Sequence, residues 1–107
     1  MESNKKVLGL LGLCTKAGCI CFGTDACIDL IEKKKIKLLI VAEDASDRTK
    51  RNFEFICNNN DTKIYFFGKI EELSHAIGKN NKAVIGIKNK SFAAQIEKII
   101  NGGEIIG

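Results

Sequence analysis

Residues 37–46 read KLLIVAEDAS. After its lysine the run KLLIVA is unbroken apolar sequence, the pattern of a strand buried on both faces in a largely parallel sheet. EDAS then has the composition of a strand-to-helix loop, with Ser46 placed to cap the next helix. Beyond it, Thr49, Phe53, Ile56 and Cys57 fall on one helical stripe. The run Asn58 to Asp61 marks a turn, and KIYFF at 63–67 reads as the next strand. Strand, helix and strand in this order define the unit from which the rest of the chain is read.

The same alternation continues on both sides of this unit. Residues 5–16 place Val7, Leu10, Leu11 and Cys14 at helical spacing, and Gly18 suits the end of that helix. CICF at 19–22 is short and β-prone, and ends at Gly23. Thr24 is expected to cap a second helix, with Asp25 in its first turn and Lys33, Lys34 and Lys35 in its last. Downstream, IEELSHAIG at 70–78 reads as a short helix, KNNK at 79–82 as a polar loop and AVIGI at 83–87 as a strand. Phe92, Ala93, Ile96, Ile99 and Ile100 line a last helix, and a loosely held tail is expected from Asn101 to Gly107. Strands separated by helices of about ten residues predict an α/β sandwich with helices on both faces of the sheet. There is no repeat or linker, so a single domain is expected over residues 1–107, with its core at about 5–100.

Composition agrees. The 107 residues are 45% apolar and 28% charged, which suits one packed core and argues against disorder. The apolar runs are too short to span a bilayer, and no secretory leader is expected. Proline is absent, which excludes a proline-rich ligand segment. The net charge of +4 is uneven: residues 1–40 carry +3, residues 41–62 carry −2 and residues 63–107 carry +3. Two basic ends converging on one face would favour an acidic partner. The five cysteines contain no CxxC pair, as expected of a reduced, cytoplasmic protein. Cys19 and Cys21 could share a strand face and approach a metal, yet no second close pair or spaced histidine accompanies them. No metal or cofactor is expected.

Candidate chemistry is sparse. His75 is the only histidine, and nothing in the sequence links it to a thiol nucleophile. Glu43 and Asp44 follow a strand, where acids more often cap helices than catalyse. Neither GxxxxGK[ST] nor GxGxxG occurs. An enzyme is not expected. Binding has better material. Gly23 and Thr24 open a helix directly after a strand, where backbone N–H groups suit a phosphate. Lys33 to Lys37 and the KNNK loop could meet a phosphate backbone. Phe22, Phe53, Tyr65, Phe66 and Phe67 lie on core patterns, so no stacking platform is expected.

Taken together, FGTDACIDLIEKKKIKLLIVAEDAS at 22–46 and KIYFFGKIEELSHAIGKNNKAVIGI at 63–87 resemble the kink-turn-binding ribosomal proteins of the L-seven-Ae and L-thirty-e type. The likeness is nearest to their short bacterial, YlxQ-like branch. It implies a three-layer α/β/α sandwich with a mixed four-stranded sheet. It also implies a non-enzymatic protein that recognises RNA bent at a kink-turn. In that family a G-x-N-E-x-x-K motif at the start of the second helix meets sheared G·A pairs, and a loop before the last strand covers unstacked bases. By position, Gly23 and Thr24 match the motif's opening, whereas Asp25 stands where many relatives have Asn, Ala26 where Glu is common and Asp29 where Lys is common. Asp25 can accept a hydrogen bond from a guanine amino group but cannot donate one. The RNA-binding residues expected from the resemblance and the basic clusters together are Gly23, Thr24, Asp25, Lys33, Lys37, Lys79, Asn80, Asn81 and Lys82. The implied partners are RNA, ribosomal RNA included, and ribosomal or translation-related proteins, with no membrane. CICF at 19–22 and the Asp29 replacement leave one alternative: a protein-interaction module that keeps the fold without specific RNA recognition.

Overall fold

The structure is a computed structural model describing residues 2–102; residues 103–107, most of the tail expected to be loose, lie outside the described part. Among the described residues, five helices alternate with four strands: α1 (Glu2–Lys16), β1 (Ile20–Phe22), α2 (Thr24–Glu32), β2 (Leu38–Val41), α3 (Asp47–Asn59), β3 (Ile64–Phe66), α4 (Ile70–Ala76), β4 (Val84–Ile87) and α5 (Lys90–Ile100). The strands form one mixed sheet in the order β1-β4-β2-β3. β2 and β3 are parallel, while β4 runs antiparallel to both of its neighbours. All four residues of β2 and all four of β4 are buried, so both faces of the sheet are covered. α2 packs on α3, and α1 packs on α4 and α5. This is the expected three-layer α/β/α sandwich.

Local chemistry explains most of the boundaries. The Ser46 hydroxyl accepts the Thr49 N–H at 3.1 Å and starts α3 as expected. Asn89 does the same for α5, accepting from the Phe92 N–H at 2.8 Å. Several boundaries differ from expectation. Gly23, not Thr24, stands at the cap of α2, because the chain leaves β1 through φ 89° and ψ 156°, a conformation costly for a side-chain-bearing residue. Lys33 is the C-cap of α2 rather than part of its last turn, and Lys34 turns left-handed at φ 61°. α3 runs through Asn59, because the Asn60 side chain reaches back to the Ile56 carbonyl at 2.8 Å and extends the turn.

The sheet's centre is tight. Gly86 on β4 sits opposite Cys21 on β1 and Leu39 on β2. A Cβ there would come within 2.7 Å of both the Cys21 sulfur and the Ile36 Cδ1, so the position leaves no room for a side chain. The core also holds Cys14, Cys27 and Cys57, each fully buried. Cys19 precedes β1 and turns toward the Ala17 carbonyl at 3.6 Å, while the Cys21 sulfur lies 3.4 Å from that of Cys27. Cys19 and Cys21, which could have shared a strand face, therefore have different partners, and β1 begins only at Ile20.

Burial pushes the Cys14 thiol up to about 12 and the Cys57 thiol up to about 11, from an ordinary 9.0. A raised folded-state pKa contributes stability that is complete below pH 9 and is lost as pH climbs toward 11–12. Melting temperature is expected to fall over that window. The slope should be shallower in Cys57→Ala than in the parent, when thermal melts are compared at matched ionic strength.

Candidate nucleic-acid interface

Topology decides which loops meet. β1, β2 and β3 all point the same way, and β4 runs against them. The carboxyl ends of three strands and the segment entering β4 therefore share one end of the sheet. This is the end where open α/β sheets bind ligands. Three backbone hydrogen bonds knit it together: Gly23 N–H to the Val84 carbonyl (3.1 Å), Ala42 N–H to Ala83 (2.9 Å) and Glu43 N–H to Gly68 (2.7 Å).

At this end α2 presents its N-terminus. No side chain among the described residues caps it, so the N–H groups of its first turn point outward with the positive end of the helix dipole. Thr24, Asp25 and Ala26 are all exposed. Gly23 and Thr24 share a shallow recess of about 280 Å³ with Asn81, Lys82, Ala83 and Val84. The second helix and the KNNK loop, far apart in sequence, thus form one surface.

The loop is held from beneath. Ser74 is buried on α4, and its hydroxyl accepts the Lys82 N–H at 2.7 Å and donates to the Lys82 carbonyl at 3.2 Å. The Lys79 N–H bonds the Ser74 carbonyl at 2.8 Å. Both ends of the four-residue loop are therefore tied to one serine, with Asn81 turning left-handed at φ 55° between them. Lys79 and Lys82 reach across to β1, where their ammonium groups lie 5.1 and 5.3 Å from the centre of the Phe22 ring. Cation–π attraction holds both charges beside the α2 N-terminus. On its other flank the loop borders an open cleft of about 460 Å³, lined by residues including Asp44, Glu71, His75 and Asn80. Asp44 acts there as a cap, accepting the Ile70 N–H at 2.8 Å. His75 is exposed on the outside of α4.

Of the expected binding residues, Gly23, Thr24, Asp25, Lys79, Asn80, Asn81 and Lys82 gather at this end. Lys33 and Lys37 do not join them. Lys33 ends α2, about 14 Å of helix away. Lys37 precedes β2 at the far end of the sheet, beside Lys63 and Lys90. The basic ends of the sequence thus supply both ends of the sandwich instead of one face. Asp29 is ion-paired with Lys33 at 3.1 Å on the exposed side of α2. Such an exposed pair contributes little stability but partly offsets the local negative charge.

Two residues of this surface do not stand out in the sequence. Phe22 lies on a core pattern, yet it is only half-buried and forms the bed for two lysines. Period-two alternation in CICF, with Cys21 inward, carries that signal. Ser74 matches no motif, although a small polar residue beside Leu73 on a buried helical face calls for a hydrogen-bond partner.

Residues 5–97 match the model of the Ribosomal protein L7Ae/L30e/S12e/Gadd45 family. The chain is 31% identical over 102 residues to RNA-binding protein YlxQ of Enterococcus faecium, spanning 94% of this chain and 98% of that one. It is 29% identical over 98 residues to RNA-binding protein YlxQ of Bacillus subtilis (strain 168), spanning 86% and 92%. A solved structure of a protein with unknown function from Bacillus halodurans superposes with a TM-score of 0.87 at 28% identity, over 90% of this chain and 97% of that one. The Giardia lamblia 15.5kD RNA binding protein shares the fold, with a TM-score of 0.78 at 20% identity, over 100% of this chain and 92% of that one.

Replacing Ser74 by Ala leaves the Lys82 N–H and carbonyl without their partner. The expected cost is about 1–3 kcal/mol in denaturant unfolding. Amide exchange at Lys82 should accelerate more than exchange in β2, which separates loop release from global unfolding.

Proposed function

The chain belongs to the Ribosomal protein L7Ae/L30e/S12e/Gadd45 family, and on that premise we propose that it binds structured RNA, of kink-turn form, without catalysing a reaction. One observation carries this reading. The uncapped N-terminus of α2 and the serine-anchored loop 79–82 form a continuous surface, with Lys79 and Lys82 gathered over Phe22.

In this reading the α2 end enters the RNA groove. Its free N–H groups and the Thr24 hydroxyl meet backbone and base edges, and the Asp25 carboxylate accepts from a guanine amino group. Gly23 lets the backbone approach closely because nothing projects from it. Lys79 and Lys82 neutralise phosphates, and Asn80 and Asn81 cover a base turned out of the stack. Lys33 and Lys37 stand within reach only of a stem that continues past the end of α2. No cofactor takes part. The partners are RNA, ribosomal RNA included, and proteins of the ribosome or of translation, and the setting is the cytoplasm. No helix among the described residues is long and apolar enough to cross a membrane.

A second reading, a protein-interaction module of the same fold, draws on Asp25 and Asp29, both exposed on the helix meant to face RNA. Gel-shift titration separates the two. A kink-turn RNA is expected to bind at least tenfold more tightly than an unkinked control of equal length. Lys79→Ala with Lys82→Ala should weaken binding about tenfold or more and lower the slope of log affinity against log salt by about two. Lys33→Ala should change affinity less than twofold. Equal, weak binding to both RNAs would overturn kink-turn recognition and favour the protein-interaction reading.

A further inference from the structure

Beneath the proposed RNA-contacting turn lies a pair of thiols for which the binding surface has no use. Cys21 is the middle residue of β1 and Cys27 lies in the first turns of α2, so the two bracket Phe22, Gly23 and Thr24. Their sulfurs are 3.4 Å apart and hydrogen-bonded. Both are free thiols, Cys27 fully enclosed and Cys21 8% exposed. Gly86 contributes to this arrangement, since a Cβ at that position would sit 2.7 Å from the Cys21 sulfur.

We propose that Cys21 and Cys27 are an oxidisable dithiol, which closes to a disulfide on exposure to a peroxide and thereby weakens RNA binding at the Gly23–Thr24 turn. The second half of this statement rests on the RNA-binding reading; the first does not. The chemistry balances with one molecule of hydrogen peroxide. The Cys21 thiolate attacks a peroxide oxygen, the O–O bond breaks, and the departing hydroxide takes up the thiol proton as water, leaving a sulfenic acid. The Cys27 sulfur then attacks the Cys21 sulfur, forming the S–S bond and releasing a second water. Two thiols are oxidised and one peroxide is reduced.

Geometry assigns the roles. Cys21 is the thiol with an opening to solvent, and its hydrogen bond with Cys27 holds it below the usual thiol range. Cys27, enclosed and raised by that same bond and by burial, keeps its proton until the resolving step. Closure brings the sulfurs from 3.4 Å to about 2.05 Å. The bond also fixes the torsion about the two sulfurs, so both side chains must reorient on either side of the Gly23 turn. The turn is also tied to Val84 at 3.1 Å, so it cannot follow freely.

The test uses the full chain, reduced and then treated with hydrogen peroxide. Trypsin with an Asp-specific protease separates residues 17–24, which carry Cys19 and Cys21, from residues 25–28, which carry only Cys27. The expected product is a disulfide joining those two peptides. It should persist in Cys19→Ser, disappear in Cys21→Ala and reverse with dithiothreitol. Gel shifts of the same samples on the kink-turn RNA should show at least threefold weaker binding after oxidation, restored by reduction and absent in Cys21→Ala. A Cys27–Cys57 linkage, or no intramolecular disulfide, overturns the dithiol. A Cys21–Cys27 disulfide that leaves RNA affinity unchanged overturns the coupling. A reduced protein that binds no RNA overturns the function proposed above, while the peptide map still decides the dithiol.

Discussion

The structure depends on where β4 goes. It enters antiparallel between β1 and β2, pairing Ile85 with Phe22 on one side and with Ile40 on the other. Without it, β1 would have no partner in the sheet. The insertion also determines which loops are neighbours, because an antiparallel strand must begin where the parallel strands end. That rule alone delivers the chain from α4 to the mouth of β1, and so places residues 79–82 beside the start of α2. The requirement it imposes is steric. A strand flanked by Cys21 on one side and overlain by Ile36 tolerates no side chain at Gly86.

Electrostatics follow from the same arrangement. The sequence carries basic ends around an acidic middle, a distribution that suggests a single positive face. Folding deals the lysines to opposite ends of the sandwich. Lys79 and Lys82 go to the carboxyl ends of the parallel strands, and Lys37, Lys63 and Lys90 go to the other end. At that far end Lys63 is engaged by Glu97, whose carboxylate also accepts from the Tyr65 hydroxyl and is held below its usual range chiefly by the lysine. Charge at one end is thus available for a ligand, and at the other it is partly engaged in joining β3 to α5.

Much of the fold was legible. The unbroken apolar run at 38–42 signalled a central strand, and Ser46 and the stripe through Phe53 and Cys57 signalled the helix after it, because burial and capping leave local marks. The joining of Gly23–Thr24 with the KNNK loop was legible only through the resemblance to a family, since it depends on strand order. The separation of Lys33 from that surface was legible, since Thr24 at the start of the second helix and Lys33 at its end already lie a helix length apart; that of Lys37 was not, because it depends on the direction in which β2 enters the sheet. Nor was the cap at Gly23, where backbone geometry outweighed the capping preference of Thr24. Phe22 and Ser74 left faint signals. Each is defined by a partner distant in sequence, Lys79 and Lys82 for the ring and Lys82 for the hydroxyl.

The two outermost strands, β1 and β3, are only three residues long, while the central pair have four. Each exposes one unpaired side of its backbone, the feature through which sheets recruit foreign strands and grow into aggregates. A three-residue edge offers too few free backbone groups to template such growth. Lys63 immediately before β3 adds a charge that discourages a newcomer. The sandwich therefore resists edge-to-edge polymerisation through brevity and charge at its borders, a colloidal safeguard for a chain whose central strands are among its most apolar stretches.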